Sequence, residues 1–216
     1  MNLRPKVALQ KFMDGNARFI QNLKEERDLL KQVKDTRDGQ EPYAAIVSCI
    51  DSRNPAELIF DTGIGDIFSV RMAGNVISEH VLGSLEFACK IGGSRLIIVL
   101  GHTSCGAVSG AGDRVEMGNL TTLLSKITPA MYYEETETEN RTSSNLSFVN
   151  KVAKINVYRG VQTILEQSVI LRDMIQKSEI GIIGGLYDVN DGHVDFYEDT
   201  WVHGEIRNVF DRFVRR

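Results

Sequence analysis

The sequence predicts an α/β fold: a mostly parallel central β-sheet flanked by helices, with an N-terminal helical arm. Three observations predict it. Four short runs, 43–50, 66–71, 95–101 and 179–186, are rich in Val and Ile and nearly continuous rather than alternating, the pattern of strands buried on both faces. Helix-like stretches separate them at 55–61, 76–91, 119–132 and 156–177. Strand and helix therefore alternate, as a parallel sheet requires.

The elements follow in chain order. Residues 6–30 read as one helix, with Val7, Leu9, Phe12, Phe19, Ile20 and Leu23 as an apolar stripe and Gly15 weakening its middle. Residues 31–41 are polar and read as loop or frayed helix. Asn54-Pro55 is a helix start with Pro at the first helical position. The most polar stretch, 134–147, reads as an exposed, solvated loop between two long helices. No internal repeat is present. A length of 216 residues suits one domain, here an arm over 1–39 and an α/β core over 40–216.

Composition narrows the function. A formal charge of −4 with no basic stripe argues against a nucleic-acid partner. No apolar run approaches the ~20 residues that span a bilayer, so no membrane association is expected, and no signal peptide is read at the N-terminus. Three cysteines are an odd number and too few for a disulfide scaffold. They fit a reducing, cytoplasmic setting with thiolate chemistry, in which the three N-x-S/T sequons carry no meaning.

The chemistry concentrates at two predicted strand ends. Cys49 ends the run AAIVSC, and His102-Thr103-Ser104-Cys105 follows the run RLIIVLG. Open parallel sheets gather ligands at the carboxyl ends of their strands. Two thiolates and one imidazole suit Zn2+, and three protein ligands leave a fourth position for water. Cys89, in a helical stretch, reads as a small apolar residue. The residues alone leave two readings open: an open zinc centre, or two buried thiols beside a hydrogen-bonded histidine.

Cys49-Ile50-Asp51-Ser52-Arg53 followed by His102-Thr103-Ser104-Cys105 resembles the paired C-x-D-S-R and H-x-x-C motifs of the β-carbonic anhydrases. Val70-Arg71-Met72-Ala73-Gly74-Asn75, Gly83-Ser84-Leu85-Glu86-Phe87-Ala88 and Gly184-Gly185-Leu186-Tyr187-Asp188 resemble further family segments, in the family's order, so the resemblance covers residues 40–192. It implies one Zn2+ per subunit on Cys49, His102 and Cys105, and reversible hydration of CO2 to bicarbonate and a proton by a zinc-bound hydroxide. It implies that Asp51 orients that hydroxide and Arg53 keeps Asp51 ionised, with Asp51 as a fourth zinc ligand in an inactive state. It carries Gln40, Phe68, Ala73, Phe87 and Gly106 to the substrate pocket, and it implies a homodimer or dimer of dimers.

Two thiolates should blunt the Lewis acidity of the metal, so nearby hydrogen bonds must compensate. One branch of the family carries a regulatory bicarbonate site of Trp, Arg and Tyr. Arg71 and Tyr187 match it, but Ile46 stands where the tryptophan would be and cannot donate an N–H, so no switch of that design is expected. Two alternatives remain: a related zinc hydrolase acting on CS2 or COS, or a non-catalytic zinc-stabilised binding module. The presence of Asp51 and Arg53 speaks against the second.

Overall fold

A computed structural model describes residues 3–214; Met1 and Asn2 of the expected arm, and Arg215 and Arg216 of the expected core, lie outside the described residues. The strands are β1 (Ala44–Ser48), β2 (Ile67–Arg71), β3 (Leu96–His102), β4 (Gly181–Tyr187) and β5 (Val194–Val202). The helices are α1 (Pro5–Ile20), α2 (Leu29–Thr36), α3 (Ala56–Ile59), α4 (Glu79–Glu86), α5 (Gly106–Gly112), α6 (Gly118–Ser125), α7 (Thr128–Tyr132), α8 (Leu146–Gln167), α9 (Val169–Gln176) and α10 (Asp211–Val214). The sheet order is β2-β1-β3-β4-β5, parallel except for β5, which runs antiparallel to β4.

The four expected strands all form, but β2, at the sheet edge, is not buried on both faces, contrary to expectation. Every residue of β1 and β3 is buried. Ala45, Val47, Ile97 and Val99 enter one core, while Ala44, Ile46, Leu96, Ile98 and Leu100 enter the other, because successive strand residues point to opposite faces. Helix α8 covers the first face. It crosses β3 and β4 at Gly101 and Gly184, where an added Cβ would lie 2.6 Å from Val157 in each case. Helices α1 and α3 cover the second face.

Strand β5 was not expected. Its buried residues, Val194, Tyr197, Thr200 and Val202, are spaced three, three and two apart, because a register shift interrupts its pairing with β4. Neither a period of two nor one of 3.6 survives. Helix α5 was also not expected, since Gly106, Gly110 and Gly112 mask it. The expected helix 119–132 is two, α6 and α7, with Pro129 in the first turn of the second. The expected helix 156–177 is α8 and α9, divided at Ser168, whose extended backbone and Oγ cap α9 at Leu171 N–H. Asn145 starts α8 ten residues earlier than expected, capping Phe148 N–H. Ser78 moves the start of the expected helix 76–91 to Glu79. Pro55 takes the cap position of α3, not the first helical position.

The N-terminal arm is likewise two helices. Asn22 turns left-handed, with φ 56, and Leu23 N–H bonds to Arg18 O, closing α1. Asp28 then caps α2, which makes helix of much of the stretch expected as loop or frayed helix. Gly15 is not a weak point: an added Cβ would lie 2.0 Å from Phe60 O, so it is where α1 touches the end of α3. The inward face is Ala8, Phe12, Gly15 and Asn16, whereas Val7, Ile20 and Leu23 of the expected stripe are exposed. Residues 134–147 run between α7 and the start of α8 and are mostly exposed as expected, though α7 is short rather than long and the loop is braced at one end. Glu134 is buried, and Arg141 donates to its carboxylate, to Met131 O and to Glu137 O.

Asp61 ties the arm to the core. Its carboxylate, almost fully buried, accepts from Arg18 Nε at 2.6 Å, from an Arg27 guanidinium N–H at 2.5 Å and from Glu25 N–H at 3.2 Å. Burial pushes its pKa up, but these donors win and hold it below the usual carboxylate range. Asp61→Ala is expected to cost roughly 2 kcal/mol in denaturant unfolding, less than a fully buried pair because both arginines reach water. The depressed pKa makes this stability present above the ordinary aspartate pKa of ~3.9 and lost as pH falls below it. The variant should therefore show a shallower acid limb than the parent.

Candidate metal centre

The chain leaves β1 for β2 on one side and returns to β3 on the other, so β1 and β3 flank the point where strand order reverses. That is where open α/β sheets hold ligands. Cys49 directly follows β1, His102 is the last residue of β3, and Cys105 caps the N-terminus of α5. All three are buried, and their potential ligand atoms lie within 4.8 Å of one another.

The histidine tests whether a metal fits. His102 Nδ1 lies 2.9 Å from Thr103 O, so it carries the proton and donates there. Nε2 is left as a bare lone pair, buried and without a hydrogen-bond partner among the described residues. A buried acceptor facing two thiols suits a cation. The turn after His102 puts Ser104 in the left-handed region, φ 54, and Asn150 Oδ1 on α8 holds it by accepting Ser104 N–H at 2.8 Å.

Backbone N–H groups lie near both sulfurs. Cys49 Sγ accepts from Gly74 N–H at 3.3 Å, and the nearby N–H groups of Asp51 at Cys49, and of Val108 and Ala107 at Cys105, act to lower the thiols. The neighbouring Cys105 thiol brings Cys49 down to about 4 against the cost of burial, while Cys49 and burial together push Cys105 up. The pair thus shares one proton, which a bound divalent cation would displace. Cys89 packs in the apolar core as expected, and burial pushes its thiol up to about 12.

Asp51 and Arg53 form a fork-like pair, Nε to Oδ1 at 3.0 Å and a terminal N–H to Oδ2 at 2.8 Å. Arg53 holds the carboxylate down to about 2. Asp51 Oδ2 also lies 3.9 Å from His102 Nε2, so the pair borders the thiol–imidazole cluster. Arg71 donates to Cys49 O at 3.1 Å and to Asp51 O at 2.6 Å, bracing the 49–51 turn. Ile46 is buried among the opposite core.

The remaining sequence candidates divide. Ala73 opens the turn whose Gly74 N–H reaches Cys49 Sγ, and Gly106 begins α5 beside Cys105. Phe68 and Phe87 meet edge to face at 6.1 Å in a groove of about 870 Å³ along β2. Phe68 pairs with Ala45, near the start of β1 and away from Cys49. Gln40 is exposed and precedes β1, so about 17 Å of strand separates it from the cluster. Sequence reading missed Gly74, Asn150 and Asn156, and assigned Arg71 only to a regulatory site. No local signal marked the two asparagines, since the helix expected over 156–177 left Asn150 outside it and Asn156 at its start, and only the structure extends α8 back to Leu146.

The family model described as carbonic anhydrase matches residues 44–194. Over 200 residues the chain is 34% identical to Carbonic anhydrase 2 of Mycobacterium tuberculosis, covering 88% of this chain and 92% of that protein. Over 212 residues it is 32% identical to the carbonic anhydrase of Mycolicibacterium smegmatis, covering 95% and 99%. A solved β-carbonic anhydrase of Aspergillus fumigatus has the same fold, with a TM-score of 0.71 at 24% identity over 97% of this chain and 96% of that one. The Coccomyxa β-carbonic anhydrase, solved with acetazolamide, gives 0.69 at 19% over 87% and 85%.

Proposed function

The chain belongs to the β-carbonic anhydrase family, and from that premise we propose that it hydrates CO2 reversibly at one Zn2+ per subunit held by Cys49, His102 and Cys105. One observation carries the ligand set: His102 Nε2 is buried without a partner, within 4.8 Å of two thiol sulfurs. Zn2+ in this site supplies Lewis acidity that makes solvent nucleophilic near neutral pH. Asp51 Oδ2 accepts a hydrogen bond from the attacking solvent and aims its lone pair at CO2. Arg53 keeps that carboxylate ionised and fixed through its paired N–H groups. Ala73 and Gly106 form the near wall of the pocket.

Gln40, Phe68 and Phe87 complete the pocket from a second protomer, in a homodimer or dimer of dimers. Two facts support this. They stand apart from the cluster in their own chain, and β2 is an edge strand flanked by exposed Phe87 and Ile91. The related enzymes of Sordaria macrospora are described as tetrameric. We read the chain as a single catalytic domain in a cytoplasmic setting, which its three free cysteines suit. Among the described residues no helix is long and apolar enough to cross a membrane.

The test is metal analysis with stopped-flow CO2 hydration, run beside CS2 and COS hydrolysis. The expected result is zinc near one per chain and fast CO2 hydration. Zinc-replete protein that turns over only CS2 or COS would move the activity to that chemistry, and one that turns over none of the three would leave a binding module.

A further inference from the structure

A backbone N–H bonded to a cysteine sulfur draws charge from the thiolate. The N–H groups of Asp51 beside Cys49, and of Ala107 and Val108 beside Cys105, come with the local turn and act to lower those thiols. One donor is different. Gly74 is 25 residues from Cys49, and its N–H reaches Sγ at 3.3 Å. No local turn can deliver it, so tertiary structure must.

The delivering turn is unusual. Gly74 and Asn75 are consecutive left-handed residues, φ 62 and φ 43. A side chain at Gly74 would have to displace Ile127, since an added Cβ would lie 2.5 Å from Ile127 Cδ1. Its carbonyl is held from the far side by Asn156 Nδ2 at 2.8 Å. Asn156 is 5% exposed and sits mid-way along α8, where an apolar residue would serve packing better.

We infer that Asn156 is a positioning residue of the metal centre: by gripping Gly74 O from α8, it keeps Gly74 N–H on Cys49 Sγ and so sets the electron density of that ligand. This rests on the metal-centre reading above. It supplies one of the compensating hydrogen bonds that a two-thiolate site needs. Asn156 acts through Gly74 and touches neither metal nor substrate.

The test uses full-length, 15N-labelled protein loaded with 113Cd2+, and separately with Co2+, in the parent, Asn156→Ala and Asn156→Asp, the last isosteric but unable to donate when ionised. In the parent, the Gly74 amide proton should show scalar coupling to 113Cd through the sulfur. In each folded variant that coupling should be lost, and the thiolate-to-Co2+ charge-transfer band should move to longer wavelength. CO2 hydration by the zinc form should fall about 10-fold with zinc still bound. A parent without Gly74 coupling overturns the inference, whatever the variants do. Variants that lose only thermal stability, with coupling and band unchanged, also overturn it. A parent chain that takes up no Cd2+ overturns this inference and the metal-centre reading together, whereas loss of coupling confined to the variants leaves that reading intact.

Discussion

Purified His102→Ala protein is expected to carry almost no zinc and to hydrate CO2 at the rate of buffer alone. The imidazole has no other task on its Nε2 side, because that atom is buried with no partner among the described residues. Its Nδ1 is already committed to Thr103 O, so the ring is pre-set to present one lone pair towards the two thiols. Alanine removes that lone pair and leaves two sulfurs, too few for a stable zinc site. His102 is fully buried at the end of β3, so the truncation should also cost roughly 3 kcal/mol of stability through the cavity left behind. Zinc by atomic absorption, hydration by stopped flow and far-UV circular dichroism on one sample separate metal loss from unfolding. Stoichiometric zinc in folded His102→Ala protein would count decisively against the ligand set.

The second large effect is expected at Asp51. Asp51→Asn keeps the shape of the side chain and removes its charge. Zinc content should stay near that of the parent while CO2 hydration falls about 10–100-fold, since an amide cannot replace an ionised carboxylate as the acceptor that orients the attacking solvent. The pH dependence has a definite sign. Arg53 first of all holds Asp51 down to about 2, so the pair is intact above the ordinary aspartate range and fades only as pH falls towards 2. Any loss of native activity on acidification between about pH 8 and 6 therefore does not come from protonation of Asp51, and Asp51→Asn should lower the rate across that whole range. Arg53→Ala should let the Asp51 pKa rise towards 3.9. A hydration rate in Asp51→Asn equal to that of the parent would remove Asp51 from the mechanism.

The strands were legible because β1 and β3 are buried on both faces, which forces an unbroken run of Val, Ile, Leu and Ala at those positions. The cluster of Cys49, His102 and Cys105 was legible because its members come as short motifs at strand ends, with Asp51 and Arg53 two and four residues from Cys49. Helix boundaries were less legible. Asn22, Ser78, Asn145 and Ser168 each end or cap a helix through a single polar side chain or one left-handed residue, and such residues are equally common in loops. β5 left no period because a shift in register interrupts its alternation.

By itself, then, the sequence determined the alternating α/β order, the parallel sheet and the identity of the thiol, imidazole and carboxylate groups, because each depends on residues adjacent in the chain. Tertiary structure alone decided that Gly15 would meet Phe60 O, that Asp61 would gather Arg18 and Arg27, and that Asn156 would hold Gly74 beside Cys49. These contacts join positions tens of residues apart through one hydrogen bond or one close approach. Nothing in the local pattern encodes them, since the distance along the chain is closed only when the helices dock on the sheet.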